Sequence, residues 1–190
     1  MLPRVSVARC TGTDLLNLET LVAQVADKEL PPVKNWHPQH ERVINMRIDR
    51  GGAWYYEGSR IERQRMVALF STVLRRDGDQ YFLVTPSEKL QIEVEDAPFV
   101  ALLMDVTGEG GAQQLNFTDN CGNQFVADQQ HPVWMAEKSG EELPYVMVRE
   151  NLPAIIARPV FYHLADLAED HDGVLGVWSA GQFFNLADPR

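Results

Sequence analysis

Residues 57–74 read EGSRIERQRMVALFSTVL. At about 100° per residue, Met66, Val67, Phe70, Val73 and Leu74 fall on one face of a helix. Ser59 and Glu62 form an S-x-x-E capping box, so the pattern predicts an amphipathic helix running to about Arg75. Arg63 projects near the middle of the apolar face, and a charge there needs a partner. Arg60, Arg63 and Arg65 all lie at or before the first turn, where the helix dipole disfavours each exposed cation by about 0.3–1 kcal/mol. Free N–H groups beside arginine are also the ingredients of an anion site. Two partners for Arg63 fit: a carboxylate from elsewhere in the chain, or an exogenous anion such as a phosphate or nucleotide.

Outward from this stretch the chain reads as alternating strands and turns. A short helix is expected over residues 15–26, followed by a proline-rich linker, ELPPVKNWHPQHE. INMRID and AWYYEG flank Gly51-Gly52 as a β-hairpin. After the helix come the turn RRDGD, the strand YFLVT and the alternating strand KLQIEVED, with Leu90, Ile92 and Val94 inward. FVALLMDV reads as a strand buried on both faces. QLNFTD and QFVAD form a hairpin, a short strand spans residues 133–136, and YVMVRE is a strand. A helical stretch from Asn151 to about Glu169, kinked or restarted at Pro159, is followed by the hairpin VLGVWS and QFFNLA.

One order of elements occurs twice: strand, helix, acidic turn, strand, short turn, strand. This predicts an α+β fold of two similar small lobes produced by duplication, each an antiparallel sheet with one helix packed on it. The expected divisions are a tail and helix at 1–33, a lobe at 34–99 and a second lobe at 100–190.

The 190 residues are 45% apolar and 23% charged, ordinary for a folded chain. No run approaches the roughly 18 apolar residues of a membrane helix, and the N-terminus shows no secretory h-region. Cys10 and Cys121 have no C-x-x-C partner and read as reduced thiols of a cytoplasmic protein. The net charge of −10 is unevenly spread. Residues 34–89 hold ten Lys/Arg against seven Asp/Glu, whereas residues 90–190 hold four against sixteen. The overall sign argues against nonspecific binding to nucleic acid or an anionic membrane. The basic central segment leaves room for one local anion site.

Catalytic and cofactor signatures are not found. There is no phosphate-binding G-x-x-x-x-G-K-[ST] and no G-x-S-x-G elbow. His37 and His40 are split by Pro38, which breaks the helix that a shared metal would need. Glu93 and Glu95 lie on one solvated strand face rather than forming a catalytic pair. Lys89 stands at a turn mouth close to the Arg63 helix in sequence. Several aromatic residues, Trp36 and Tyr162 among them, are able to stack a ring, though core packing is the commoner use.

WHPQHERVINMRID (36–49), WYYEGSRIERQRMVALFSTVLRR (54–76) and YFLVTPSEKLQIEVEDAPFVA (81–101) resemble a bacterial family known as domain of unknown function 1285. ARPVFYHL (157–164) and LGVWSAGQFFNLA (175–187) resemble its C-terminal half. The resemblance implies two related lobes, the second loosely similar to pleckstrin-homology folds. It also implies a ligand site between the lobes for a nucleotide-like molecule and a role in signalling. Two readings follow. In one, a cytoplasmic ligand-binding or signalling module holds an anion through Arg63, Lys89 and Arg158, with Trp36 or Tyr162 stacking on a ring. In the other, the protein is an interaction scaffold without a small ligand, and Arg63 is a structural ion pair. An exposed apolar patch near Phe183-Phe184 or a symmetric dimer would favour the scaffold. An enzyme is the least supported reading, because no nucleophile, base and oxyanion donors can be placed together.

Overall fold

Short alternating runs rich in β-branched and aromatic residues dominate the folded chain. In the computed structural model, residues 19, 20, 22 and 30–187 are described. The chain divides into two units, Met1–Asp49 with Ala53–Glu95, and Arg50–Gly52 with Asp96–Arg190.

The first unit contains β1 (His40–Ile48), β2 (Trp54–Tyr56), β3 (Ser59–Arg60), α1 (Gln64–Thr72), β4 (Leu74–Asp77), β5 (Gln80–Val84) and β6 (Glu88–Val94). Its six strands lie in the order β3-β2-β1-β6-β5-β4. β1 and β6 run parallel, and the other neighbours are antiparallel. The inward residues of β6 pair with those of β5: Leu90 opposite Leu83 and Ile92 opposite Tyr81, all buried. Met46, Ile48, Trp54 and Phe70 are also almost wholly buried, and the rings of Trp54 and Phe70 lie 6.3 Å apart. Phe82 and Val84, of opposite pleat, are buried as well, and so is Val33.

The second unit contains β7 (Phe99–Thr107), β8 (Gln114–Asp119), β9 (Gln124–Val126), β10 (Val133–Lys138), β11 (Glu141–Arg149), β12 (Leu152–Ile156), α2 (Arg158–Asp166), β13 (Glu169–His171), β14 (Val174–Ser179) and β15 (Gln182–Asn185). The first six of these strands form a sheet in the order β10-β11-β12-β7-β8-β9, and the last three form a separate sheet. β12 and β7 are the parallel pair. Buried Ser179 ties the small sheet to the large one: its Oγ donates to the Ala127 carbonyl at 2.6 Å and accepts from the Leu115 N–H at 3.0 Å.

The expected α+β architecture, each lobe a small antiparallel sheet under a helix and the second pleckstrin-homology-like, is overturned, though the chain does form two units. The protein is mostly strand, and its two six-stranded sheets are mixed. The two six-stranded sheets repeat one topology, β3-β2-β1-β6-β5-β4 and β9-β8-β7-β12-β11-β10, with the first and sixth strands of each parallel, but the element order read from the sequence does not align with that repeat. β4–β6 extend the first unit's main sheet through β1, whereas β13–β15 stand apart.

Strand pairing explains the shortened helices. Ser59 and Arg60 pair with Tyr56 and Tyr55, and residues 74–77 pair with β5, leaving only nine residues for α1. The predicted capping box therefore does not form. Arg63 itself is the N-cap, extended and without a side-chain cap hydrogen bond, so it is not on the apolar helical face. Residues 152–156, predicted helical, pair with β11 on one side and β7 on the other. In β7 a register shift between Ala101 and Leu103 breaks alternation, and Leu102 and Leu103 are 50% and 61% exposed instead of buried. Of the helix expected over residues 15–26, Glu19, Thr20 and Val22 are helical, and the rest lies outside the described residues.

Phe70 is fully buried against Trp54. Phe70→Ala is expected to lower stability by about 3–5 kcal/mol, read as a lower urea midpoint at unchanged slope.

Candidate functional site

The parallel ladder between β1 and β6 slips. Val43 stands opposite Gln91, but Arg47 stands opposite Glu93, so three residues of β1 face one of β6. A bulge of this kind bends its strand and disturbs the flat sheet surface. Alongside it lies a groove of about 760 Å³, lined by residues 41–46, 79–81 and 91–94. Ile44, Met46, Tyr81 and Ile92 are its buried apolar members, and Val43 is 66% exposed. Asn45, Gln80 and Gln91 add neutral donors and acceptors. A volume of about 300–1,000 Å³ with an apolar body and a few polar groups suits a small molecule.

The groove is acidic, with Glu41, Asp79 and Glu93 against Arg42. Three of these charges are paired: Glu41 with Lys89 at 2.9 Å, Arg42 with Glu88 at 3.4 Å and Asp79 with Arg76 at 3.3 Å. Glu93 is exposed and has no ion-pair partner among the described residues. Its carboxylate is the groove's uncommitted charge.

Lys89 belongs to a network around Asp77. Its Nζ lies 2.9 Å from Glu41, 3.3 Å from Asp77 and 3.8 Å from the centroid of the Phe82 ring. Arg75 donates to Asp77 at 2.8 Å and to the carbonyls of Val33 and Trp36 at 3.2 and 2.8 Å. Thus Lys89 and the Trp36 backbone are joined through Arg75 and Asp77, two residues that sequence reasoning had assigned to a turn. No local spacing marked Arg75 as a strand residue; its pairing with Phe82 does.

Arg63 does not join this network. It is exposed, and its guanidinium lies 3.8 Å from Glu19. Arg158 and Tyr162 are exposed one turn apart on α2 in the second unit, Tyr162 by 60%. Among the described residues, no three His, Cys, Asp or Glu side chains gather to hold a metal. No helix there is long and apolar enough to cross a membrane.

In the second unit Asp96 and Asp119 are both buried. Asp96 Oδ1 accepts from Lys138 Nζ at 2.6 Å and from the Tyr145 hydroxyl at 2.9 Å. Arg50 Nε lies 3.5 Å from Oδ2. Two donors on one oxygen and an arginine beside the other fix Asp96 in place, a structural tie rather than a reacting group.

Burial pushes the Asp77 carboxyl up, but the hydrogen bonds and charges of Arg75 and Lys89 outweigh it and hold Asp77 below its ordinary value of 3.8. A carboxylate depressed on folding stabilises the protein above its unfolded value and loses that contribution as pH falls through the folded one. Asp77→Asn is therefore expected to cost about 1 kcal/mol or less at pH 7. The gap from wild type, followed by urea unfolding, should close as pH falls below about 4.

Comparison with known proteins follows the same two-part division. The model described as domain of unknown function (DUF1285), N-terminal domain, matches residues 31–97. The model described as protein of unknown function (DUF1285), C-terminal domain, matches residues 98–186. A solved structure of a DUF1285 family protein from Silicibacter pomeroyi DSS-3 is 45% identical, covers 90% of this chain and 93% of its own, and superposes with a TM-score of 0.83. Another, from Shewanella baltica OS155, is 24% identical over 64% of this chain and 90% of its own. Its TM-score of 0.53 marks a likeness of fold alone. No curated protein matches the chain. With both family domains matched in order and a solved relative 45% identical across nine-tenths of its length, this chain belongs to the DUF1285 family.

Proposed function

We propose that this chain is a ligand-binding module whose small-molecule ligand lies in the groove beside the β1 bulge. The observation that carries this reading is the groove itself: about 760 Å³, lined by buried Ile44, Met46 and Ile92 and by Glu93, whose carboxylate has no ion-pair partner among the described residues. Such a lining suits a molecule with an apolar body and a cationic or hydroxyl-bearing end. The nucleotide-like anion implied by the family resemblance is a distinct ligand class. It would draw on Arg63, whose 3.8 Å contact with Glu19 is long for an ion pair and leaves the guanidinium exposed.

A thermal-shift panel of amines, polyols and nucleotides separates these ligands. A binder at 100 times its Kd is expected to stabilise the wild type by about 2.7 kcal/mol. Val43→Trp, which places an indole in the groove, is expected to abolish the shift, and Arg63→Ala to leave it intact. A panel without any shift, or a shift that survives Val43→Trp, overturns the groove. A nucleotide shift lost only in Arg63→Ala moves the ligand to the arginine.

A further inference from the structure

The three-stranded sheet of the second unit has one covered face and one that is open in part, on which Trp178 and Phe183 are half-buried and Glu169 and His171 exposed. Directly opposed residues share a face, and the faces alternate along each strand. Val177, Ser179 and Phe184 lie on the covered side and are 0%, 0% and 7% exposed. The other face is set by three registers: Glu169 opposite Gly176, His171 opposite Val174, and Trp178 opposite Phe183. Its three rings touch one another, with centroids 5.1 Å apart for His171 and Trp178, 5.1 Å for His171 and Phe183, and 5.3 Å for Trp178 and Phe183.

Gly176 makes room for the Phe183 ring. A Cβ added there would stand 2.5 Å from Phe183 Cζ and 2.3 Å from the Phe184 carbonyl oxygen. Acidic side chains flank the rings: Glu169 lies on their face, opposite Gly176, and Asp172 follows His171 in the turn. From residue 159 to residue 189 the sequence holds no lysine or arginine. Asp172 is almost fully exposed, 3.8 Å from His171 Nε2.

We infer that this open face is a docking surface for a basic peptide, taking an arginine or lysine side chain against Trp178 and Phe183. Aromatic faces attract cations through their quadrupoles, arginine and tryptophan being the favoured pair. Glu169 and Asp172 supply the complementary charge that steers such a partner and orients it. The same charge repels anionic lipid and nucleic acid, which excludes those two partners for this face. The inference concerns a different unit from the groove and is independent of it.

The test titrates the full chain with the peptide Ac-Gly-Arg-Gly-Arg-Gly-NH₂, followed by ¹H–¹⁵N NMR. Saturable shifts are expected at amides of residues 169–185 and at the Trp178 indole. Trp178→Leu should weaken binding about tenfold. Glu169→Gln with Asp172→Asn, both at exposed positions and so compatible with the fold, should weaken it about two- to fivefold and flatten its salt dependence. The inference is overturned by shifts that do not saturate, shifts centred elsewhere, an equal response to the same peptide with glutamate for arginine, or no loss in the double charge variant. Binding of anionic vesicles or duplex DNA to residues 169–185 overturns it equally.

Discussion

Parallel pairing between strands distant in sequence is the constraint on which both units depend. In the first, β2 and β3 reach the sheet only through β1, and β4 and β5 only through β6. Without the β1–β6 ladder, the unit would be two separate three-stranded ribbons. The second unit repeats the arrangement with different strands: β10 and β11 hang on β12, β8 and β9 on β7, and Ala154 opposite Phe99 joins the halves. Parallel strands need a crossover. In the first unit that crossover is built of strands as well as α1, so a nine-residue helix is enough.

The polar chemistry of the first unit also follows from this ladder. Glu41 and Lys89 face each other because β1 and β6 are in register there, and the slip after Val43 ends that regularity. One stretch of the pair is stapled by Lys89, Asp77 and Arg75. The next stretch bends and is bordered by the groove. A ligand in the proposed groove would meet walls set by the ladder and the bulge, which lowers the ordering cost of binding.

Much of the strand content was legible because alternation is a local property. Leu90, Ile92 and the flanking polar residues announce β6, and Gly51-Gly52 announces the β1–β2 turn. The helix was overextended because apolar residues at positions 66, 67, 70, 73 and 74 satisfy a helical period, while Leu74 in fact belongs to β4. Nothing local distinguishes the two; the pairing of Leu74 with Leu83 decides it. Leu152–Ile156 misled for a similar reason, since a strand with both faces buried has no alternation to display. Lys89 was singled out by its place at a turn. Its partners Asp77 and Glu41 come from strands whose neighbours no spacing rule reveals.

The cation-free run from residue 159 to residue 189 has a practical consequence for anyone mapping contacts on the small sheet. Lys138 is the last lysine in the sequence, so amine-directed crosslinkers have no handle on β13–β15. Trypsin cuts after Arg149 but is blocked at Arg158 by Pro159, so α2 and the whole small sheet leave together as residues 150–190. Carboxylate-directed coupling at Glu169, Asp170 or Asp172 would register a neighbour on this face that lysine chemistry passes over.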